Sequence, residues 1–275
     1  MQAIFTLTPA ESKRLIGMAI AAMPEVQKAK QEGYLIIGRG STNAYIAEEL
    51  LNQSIEKEKY VAGQVIRGTL CALHAGIRIQ PITFYKDEIL EVDPGTLIGK
   101  MGPGDVLLKG ANAIDHTGKV GVVMASPVGG TMGEFYMAMK AQGVMIIYPV
   151  GLEKLIPSVD LAAKFGGRLN LQRSIGARVG FACVADGKVI TEIQCIYNMF
   201  GIRAVHFASG GYGGAEGSIT VVVDGEEKDV NRCLDFIESI KGEPPLPAAK
   251  GSCKTCPILC SFQGKEEDEL PAYLK

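Results

Sequence analysis

The sequence predicts an α/β protein: a three-layer, mostly parallel sheet, followed by a smaller α+β module and a cysteine-containing tail. Three observations carry this reading. Short unbroken apolar runs at Tyr34–Ile37, Asp105–Leu108, Val120–Ala125 and Val144–Tyr148 have the pattern of strands buried on both faces. Segments with apolar residues at helical spacing alternate with these runs, as in a parallel sheet covered by helices. Beyond Gly166-Gly167 the rhythm changes to strand, helix, strand, strand, helix.

Taken in order, Thr8-Pro9-Ala10-Glu11 spells a capping box with proline at the first helical position. Leu15, Met18, Ala19 and Ala22 share one face of the helix that follows, and Pro24 breaks or restarts it. The strand Tyr34–Ile37 is bounded by Gly33 and Gly38, and Ala44, Ala47, Leu50 and Leu51 recur at helical spacing after it. A helix is predicted around Gln64–His74 and a strand near Ile79–Tyr85. Three strands follow at the remaining apolar runs, with a helix over Thr131–Gln142 that aligns Met132, Phe135 and Met139. Right-handed crossovers are expected between the parallel strands.

In the last third, Arg178–Ala185 reads as a strand, Ile190–Phe200 as a helix, and Arg203–Ala208 and Ser218–Val223 as strands. The final helix is Glu227–Ile240, with Val230, Cys233, Leu234 and Ile237 on one face. This order is that of a ferredoxin-like split βαβ module. The expected organisation is an α/β domain over 1–167, the ferredoxin-like module over 168–243, and a linker and tail over 244–275. Pro244-Pro245-Leu246-Pro247 is a semi-rigid entry to the tail.

Composition narrows the function classes. The chain has 275 residues, 47% of them hydrophobic, enough for a sizeable core. The net charge is -2 with no basic stripe, which argues against a nucleic-acid groove. The apolar runs fall far short of the roughly 20 residues a membrane helix needs. Met1-Gln2-Ala3-Ile4-Phe5 lacks a signal peptide's charged start. Of seven cysteines, Cys71, Cys183, Cys195 and Cys233 are scattered in apolar contexts, as reduced core thiols are. A cytoplasmic chain that forms homo-oligomers is expected.

The first motif with chemical content is Gly38-Arg39-Gly40-Ser41-Thr42-Asn43. A glycine-rich turn between a buried strand and a helix lets backbone amides and the helix dipole face an anion. Ser41 and Thr42 add hydroxyl donors and Arg39 a guanidinium. The plain alternative is a strand–helix turn with Ser41 or Thr42 as N-cap.

The stretch Ala10–Leu50, with this loop, resembles the start of ribose-5-phosphate isomerases, in which a Gly-x-Gly-Ser-Thr loop holds the sugar phosphate. Asp105–Asp115, and its continuation through Thr117-Gly118-Lys119-Val120 to Leu152–Pro157, is similar to lactate-utilisation domains and to initiation factor 2B-like proteins. All belong to the NagB/RpiA/CoA transferase-like superfamily. The resemblance covers roughly residues 10 to 165. It implies a site at the carboxyl ends of the parallel strands.

It also shows departures. Lys109 and Asn112 stand where the isomerases carry aspartates, and neither can accept a proton at neutral pH. Ala125-Ser126-Pro127-Val128-Gly129-Gly130 lacks the isomerases' lysine. Ribose-5-phosphate isomerisation is therefore not expected.

Glu134 falls near the isomerases' catalytic glutamate. It is either a base or nucleophile, or a first-turn acid favoured by the helix dipole. Lys109 either anchors an anion or reaches to solvent. Gly110, Asn112, Gly129, Gly130 and Thr131 complete the expected ligand-binding set. The resemblance and the loop together predict a phosphorylated or CoA-linked small-molecule ligand, with turnover or as a regulatory binding protein.

The second motif, Cys253-x-x-Cys256-Pro257-x-x-Cys260, suits zinc or an iron–sulfur cluster. Three thiolates are one short of a closed site, so the fourth ligand must come from elsewhere. A disulfide or an unstructured tail is the competing reading. The same motif supports a further alternative, a metal- or redox-linked protein.

Overall fold

The structure is a computed structural model that describes residues 1–249 and 251–275. From the amino terminus it runs β1 (Gln2–Leu7), α1 (Pro9–Ala21), α2 (Pro24–Glu32), β2 (Tyr34–Ile37) and α3 (Ser41–Leu51). Next come β3 (Gly63–Ile66), β4 (Thr69–Ala72), β5 (Ile82–Tyr85), β6 (Glu88–Leu90), β7 (Val106–Leu108), β8 (Ala113–Ile114) and β9 (Val120–Met124). A π-helical stretch, Met132–Tyr136, leads into α4 (Met137–Ala141), then β10 (Met145–Pro149) and α5 (Val159–Ala162). The chain continues with β11 (Gly180–Val184), β12 (Lys188–Ile190), α6 (Glu192–Phe200), β13 (Arg203–Gly210), β14 (Ser218–Asp224) and α7 (Glu227–Ser239).

The central sheet has the order β12-β10-β7-β2-β5-β6. Its first four strands are parallel, while β5 and β6 turn back antiparallel along one edge. Both faces of β2 are covered, and its alternating side chains show it. Leu35 and Ile37 join one hydrophobic cluster with Leu15, Ile16, Val26 and Ile46, whereas Ile36 joins a second with Leu107, Phe135, Met139 and Tyr148. Leu35, Ile36 and Ile37 are fully buried, each stabilising the fold by about 1.5–3 kcal/mol.

The capping box at α1 forms as the sequence implies. The Thr8 side chain accepts from the Glu11 amide, and the Glu11 carboxylate accepts from the Thr8 amide at 2.9 Å. Pro24 restarts the chain as α2 rather than ending the helical region.

Four expectations are corrected. Gln64–His74 is not a helix but the hairpin β3–β4, turning at Arg67 and Gly68. Both turn residues have positive φ, 47° and 69°, the conformation of a two-residue hairpin turn and one that helices exclude. The run Val120–Ala125 does form a strand, but β9 lies outside the central sheet, between β8 and β11 in an antiparallel set. The helix over Thr131–Gln142 begins as a π-helix. Finally, the strands of 168–243 do not make one ferredoxin-like sheet. β11 pairs with β9, β12 extends the parallel sheet beside β10, and β13–β14 pair with β1 from the amino terminus. Strand propensity set these segments locally; their partners were chosen by long-range packing. One hydrophobic cluster, from Leu7 through Ile147 to Ile237, runs across residue 168.

The tail folds back on the body. Leu259 O accepts from the Arg178 amide at 2.8 Å, and Ser261 donates to Ser174 O at 2.6 Å. Gln64 donates to Ala249 O, and Arg67 to Lys275 O. Among the described residues no helix is long and apolar enough to cross a membrane.

Candidate functional site

The parallel strands β2, β7 and β10 end side by side, and the loop Gly38–Asn43 and Lys109 leave β2 and β7 next to each other. The Gly38 amide donates to Leu108 O at 2.9 Å, continuing the β2–β7 ladder one residue past the strand. A Cβ at Gly38 would stand 2.9 Å from Leu108 O, so this close approach needs glycine. The Gly40 amide donates to Tyr60 O at 2.9 Å. Both glycine amides of the loop are thus engaged by the protein itself.

The helix start is different. Gly40 is the N-cap of α3 and no side chain caps it, so the first-turn amides lack an intrahelical acceptor and present the positive end of the dipole. Ser41 is half-buried there, whereas Thr42 is buried and its hydroxyl has no partner. Asn43 is fully buried and ties the loop to β7, its amide donating to Gly38 O at 2.7 Å and to Leu108 O at 3.1 Å. Arg39 reaches sideways, donating to Ile79 O at 2.8 Å and to the Gln80 side chain. Burial lowers the Arg39 pKa, opposed by the fields of Tyr60, Asp93 and Glu134. Glu134 is therefore within electrostatic reach of Arg39.

Lys109 leaves β7 directly beside this loop. Its ammonium donates to Gly110 O at 3.0 Å, and the Lys154 ammonium donates to Ala111 O at 3.1 Å. The two cations flank the Gly110-Ala111 segment. Among the described residues neither is in an ion pair, although the chain's other lysines form many. Burial, and then the charge of Lys154, push the Lys109 pKa down to about 8. Burial likewise lowers Lys154, with Lys13 adding repulsion and Glu153 and Glu192 opposing it. Two half-buried cations, neither in an ion pair and one lying in the field of the other, raise the potential of this corner.

Other expected residues are placed as follows. Gly129 and Gly130, with φ of 78° and 56°, form the turn before the π-helix that carries Thr131 and exposed Glu134. Asn112 is exposed, and its side-chain oxygen accepts from the Val123 amide at 3.0 Å. Asp115 organises its turn, accepting from Thr117, Lys119 and Val159. A cavity of about 510 Å³ opens over the starts of both α1 and α3. Thr8, Lys13, Ser41, Arg67 and Glu243 are on its wall, with Gly214 and Glu216 of the glycine-rich β13–β14 loop.

Two residues of the site were not singled out from sequence. Lys154 carried no local signal beyond following a strand. Glu192, the first residue of α6, is fully buried beneath the site, and both its oxygens accept from the Leu152 amide at 3.0 and 3.3 Å. Burial raises its pKa from 4.5 to about 7, against the pull of its backbone bonds. From 4.5 to about 7 the native chain holds a proton that the unfolded chain has released, so stability falls by about 3 kcal/mol as pH rises through that window. Glu192→Gln is accordingly expected to melt several degrees above the parent at pH 8 and level with it at pH 4. Equal melting temperatures at both values would show that Glu192 carries no such penalty.

Fold and site together define an α/β protein with two lysines outside any ion pair near the carboxyl ends of its parallel strands. No known protein family and no curated protein matches the sequence. Among solved structures, eIF2B delta from Chaetomium thermophilum is similar at 16% identity and a TM-score of 0.34, over 68% of this chain and 58% of that one. The likeness is loose and concerns architecture alone.

Proposed function

We propose that this chain binds a small metabolite carrying a phosphate or a CoA-type anion, seated at the carboxyl edge of β2 and β7. The observation that supports this most directly is the pair Lys109 and Lys154, two half-buried cations of which neither, among the described residues, forms an ion pair. An incoming anion would supply the missing counter-charge, and the open first turn of α3 would add backbone donors. Arg39 and Ser41 belong to the loop that leaves β2, whose Gly38 packs beside Lys109. Glu134, exposed and within the field of Arg39, is the group available for proton transfer to a bound ligand.

The test is calorimetric titration and thermal melting with inorganic phosphate, sugar phosphates, nucleotides and CoA esters. A ligand at a hundred times its Kd raises stability by about 2.7 kcal/mol. Binding is expected to weaken as pH rises through 8, where Lys109 loses its proton. No shift with any of these compounds removes the proposal. If a ligand binds and is consumed, Glu134→Gln separates the two roles: intact affinity with lost turnover marks the base.

A further inference from the structure

The tail cysteines do not stand alone. One apolar cavity is lined by Cys253, Cys256 and Cys260 of the tail and also by Cys71 of β4. Leu70, Ala177, Ile258, Phe262 and Leu274 share its mostly apolar wall. The three tail thiols are presented by a tight reversal. Cys253 O accepts from the Cys256 amide at 3.3 Å and from the Gly264 amide at 2.9 Å, and Cys260 O accepts from Gln263 at 3.4 Å. This reversal is fixed against the hairpin: Leu259 bonds Arg178, Ala177 bonds Leu70 O at 2.7 Å, and Gly251 packs against the His74 backbone. The hairpin and the tail therefore meet at four cysteines, three of them neighbours in the tail and one, Cys71, far away in sequence.

We propose that Cys71, Cys253, Cys256 and Cys260 are the four ligands of an iron–sulfur cluster that clamps the tail onto the β3–β4 hairpin. Four thiolates are the usual complement for such a cluster, and closely spaced Cys-x-x-Cys runs are their usual source. The arrangement suits a cluster better than a single ion. A zinc ion draws its sulfurs to within about 2.3 Å of one point. Here the thiols ring a cavity, and among the described residues no group of three His, Cys, Asp or Glu side chains gathers closely enough to hold one ion. A cluster distributes its thiolates over separate irons and needs them spread.

Two further contacts involve the sulfurs themselves. The Phe262 amide donates to Cys260 Sγ at 3.3 Å, the kind of bond that tunes cluster sulfurs. The Arg78 guanidinium, anchored on Leu73 O at 2.7 Å, lies in the field of Cys256. His74 also borders the cavity, but its Nδ1 accepts from the Gly76 amide at 3.2 Å, which leaves Cys71 as the fourth ligand. The inference is independent of the anion site at Lys109.

The experiment is anaerobic purification of the full chain from iron-supplemented cells, followed by reconstitution with ferric and ferrous iron and sulfide. Expected are a broad absorbance near ~400 nm and about four irons and four sulfides per chain, the content of a four-cysteine cubane. Cys71→Ser and Cys256→Ser are expected to lose that iron roughly tenfold or more, since each removes a direct ligand. Cys183→Ser, whose thiol contacts Asp160 outside the cavity, and His74→Ala are expected to keep it. Should Cys71→Ser fail to fold, thiol alkylation of the intact chain decides: all four cysteines should be protected until a chelator removes the iron. Stoichiometric zinc in place of iron, a Cys71–Cys253 disulfide, full iron retention in Cys71→Ser, or no iron after reconstitution each overturns the proposal.

Discussion

Lys109→Met is expected to weaken binding of a phosphorylated ligand by roughly 10- to 100-fold and, at the same time, to raise the melting temperature. The first effect follows from losing a charge-assisted bond to the anion, about 1.5–3 kcal/mol. The second follows from the pKa of about 8, which burial and Lys154 impose on a group of ordinary value 10.5. Below pH 8 both native and unfolded chains carry the proton, and the native chain bears the full penalty of holding it. Between 8 and 10.5 the native chain has released the proton and the unfolded chain has not, so stability rises with pH across that window. Methionine keeps the length of the stem and removes the charge. Its gain should be largest at pH 7 and shrink towards pH 10. Titration calorimetry and melting curves on the same preparations read both. A variant with unchanged affinity sinks the anion site, and one with lower stability at pH 7 sinks the account of the penalty.

Arg14→Ala should be among the most destabilising single changes in the chain, costing roughly 3–5 kcal/mol, as expected when one member of a largely buried ionic cluster is removed. Arg14 bonds Glu48 and Glu49 of α3, each at 2.7 Å, and Glu243 at 2.9 Å, and lies 4.7 Å over the Tyr45 ring. It joins α1, α3 and the start of the linker through one guanidinium. Lys57 balances only Glu48, so the variant leaves two carboxylates without a cation. Although burial opposes it, Glu48's pKa is held below its ordinary value of 4.5 by Lys57 and Arg14. Stability from that pairing is present above pH 4.5 and is lost as pH falls through the native value. The gap between Arg14→Ala and the parent should therefore narrow in acid. At neutral pH a fall of roughly 10 °C in Tm is expected, taking about 2–4 °C per kcal/mol for a chain of this size. Arg14→Lys should recover only part, because an ammonium lacks the planar fork that serves three acceptors. A neutral-pH loss under about 1 kcal/mol, the ordinary worth of exposed pairs, would contradict the buried-cluster reading.

Local rules were legible wherever one short segment contained the whole device. The Thr8–Glu11 box, the β2 run with its glycine limits and the loop before α3 needed nothing distant to be read. The β3–β4 hairpin was missed although its signal was present: Val65-Ile66 and Thr69-Leu70, three of them β-branched, flank Arg67-Gly68 as a two-residue turn. β9 and β11 were recognised as strands but not as partners, because an apolar run states that it must be buried and not against what. The site divides in the same way. Lys109 and Ser41 sit at strand and helix ends that sequence marks, whereas Lys154 and Glu192 carry no mark at all.

The sequence by itself determined the α/β alternation, the loop that opens α3, and three closely spaced thiols in the tail. Only the tertiary structure decided that Lys154 stands opposite Lys109, and that Cys71 faces the tail across an apolar cavity. Secondary structure is written in contacts between near neighbours. The convergence of charges or thiols depends on crossings between strands far apart in the chain, whose direction is set by burying every apolar face at once.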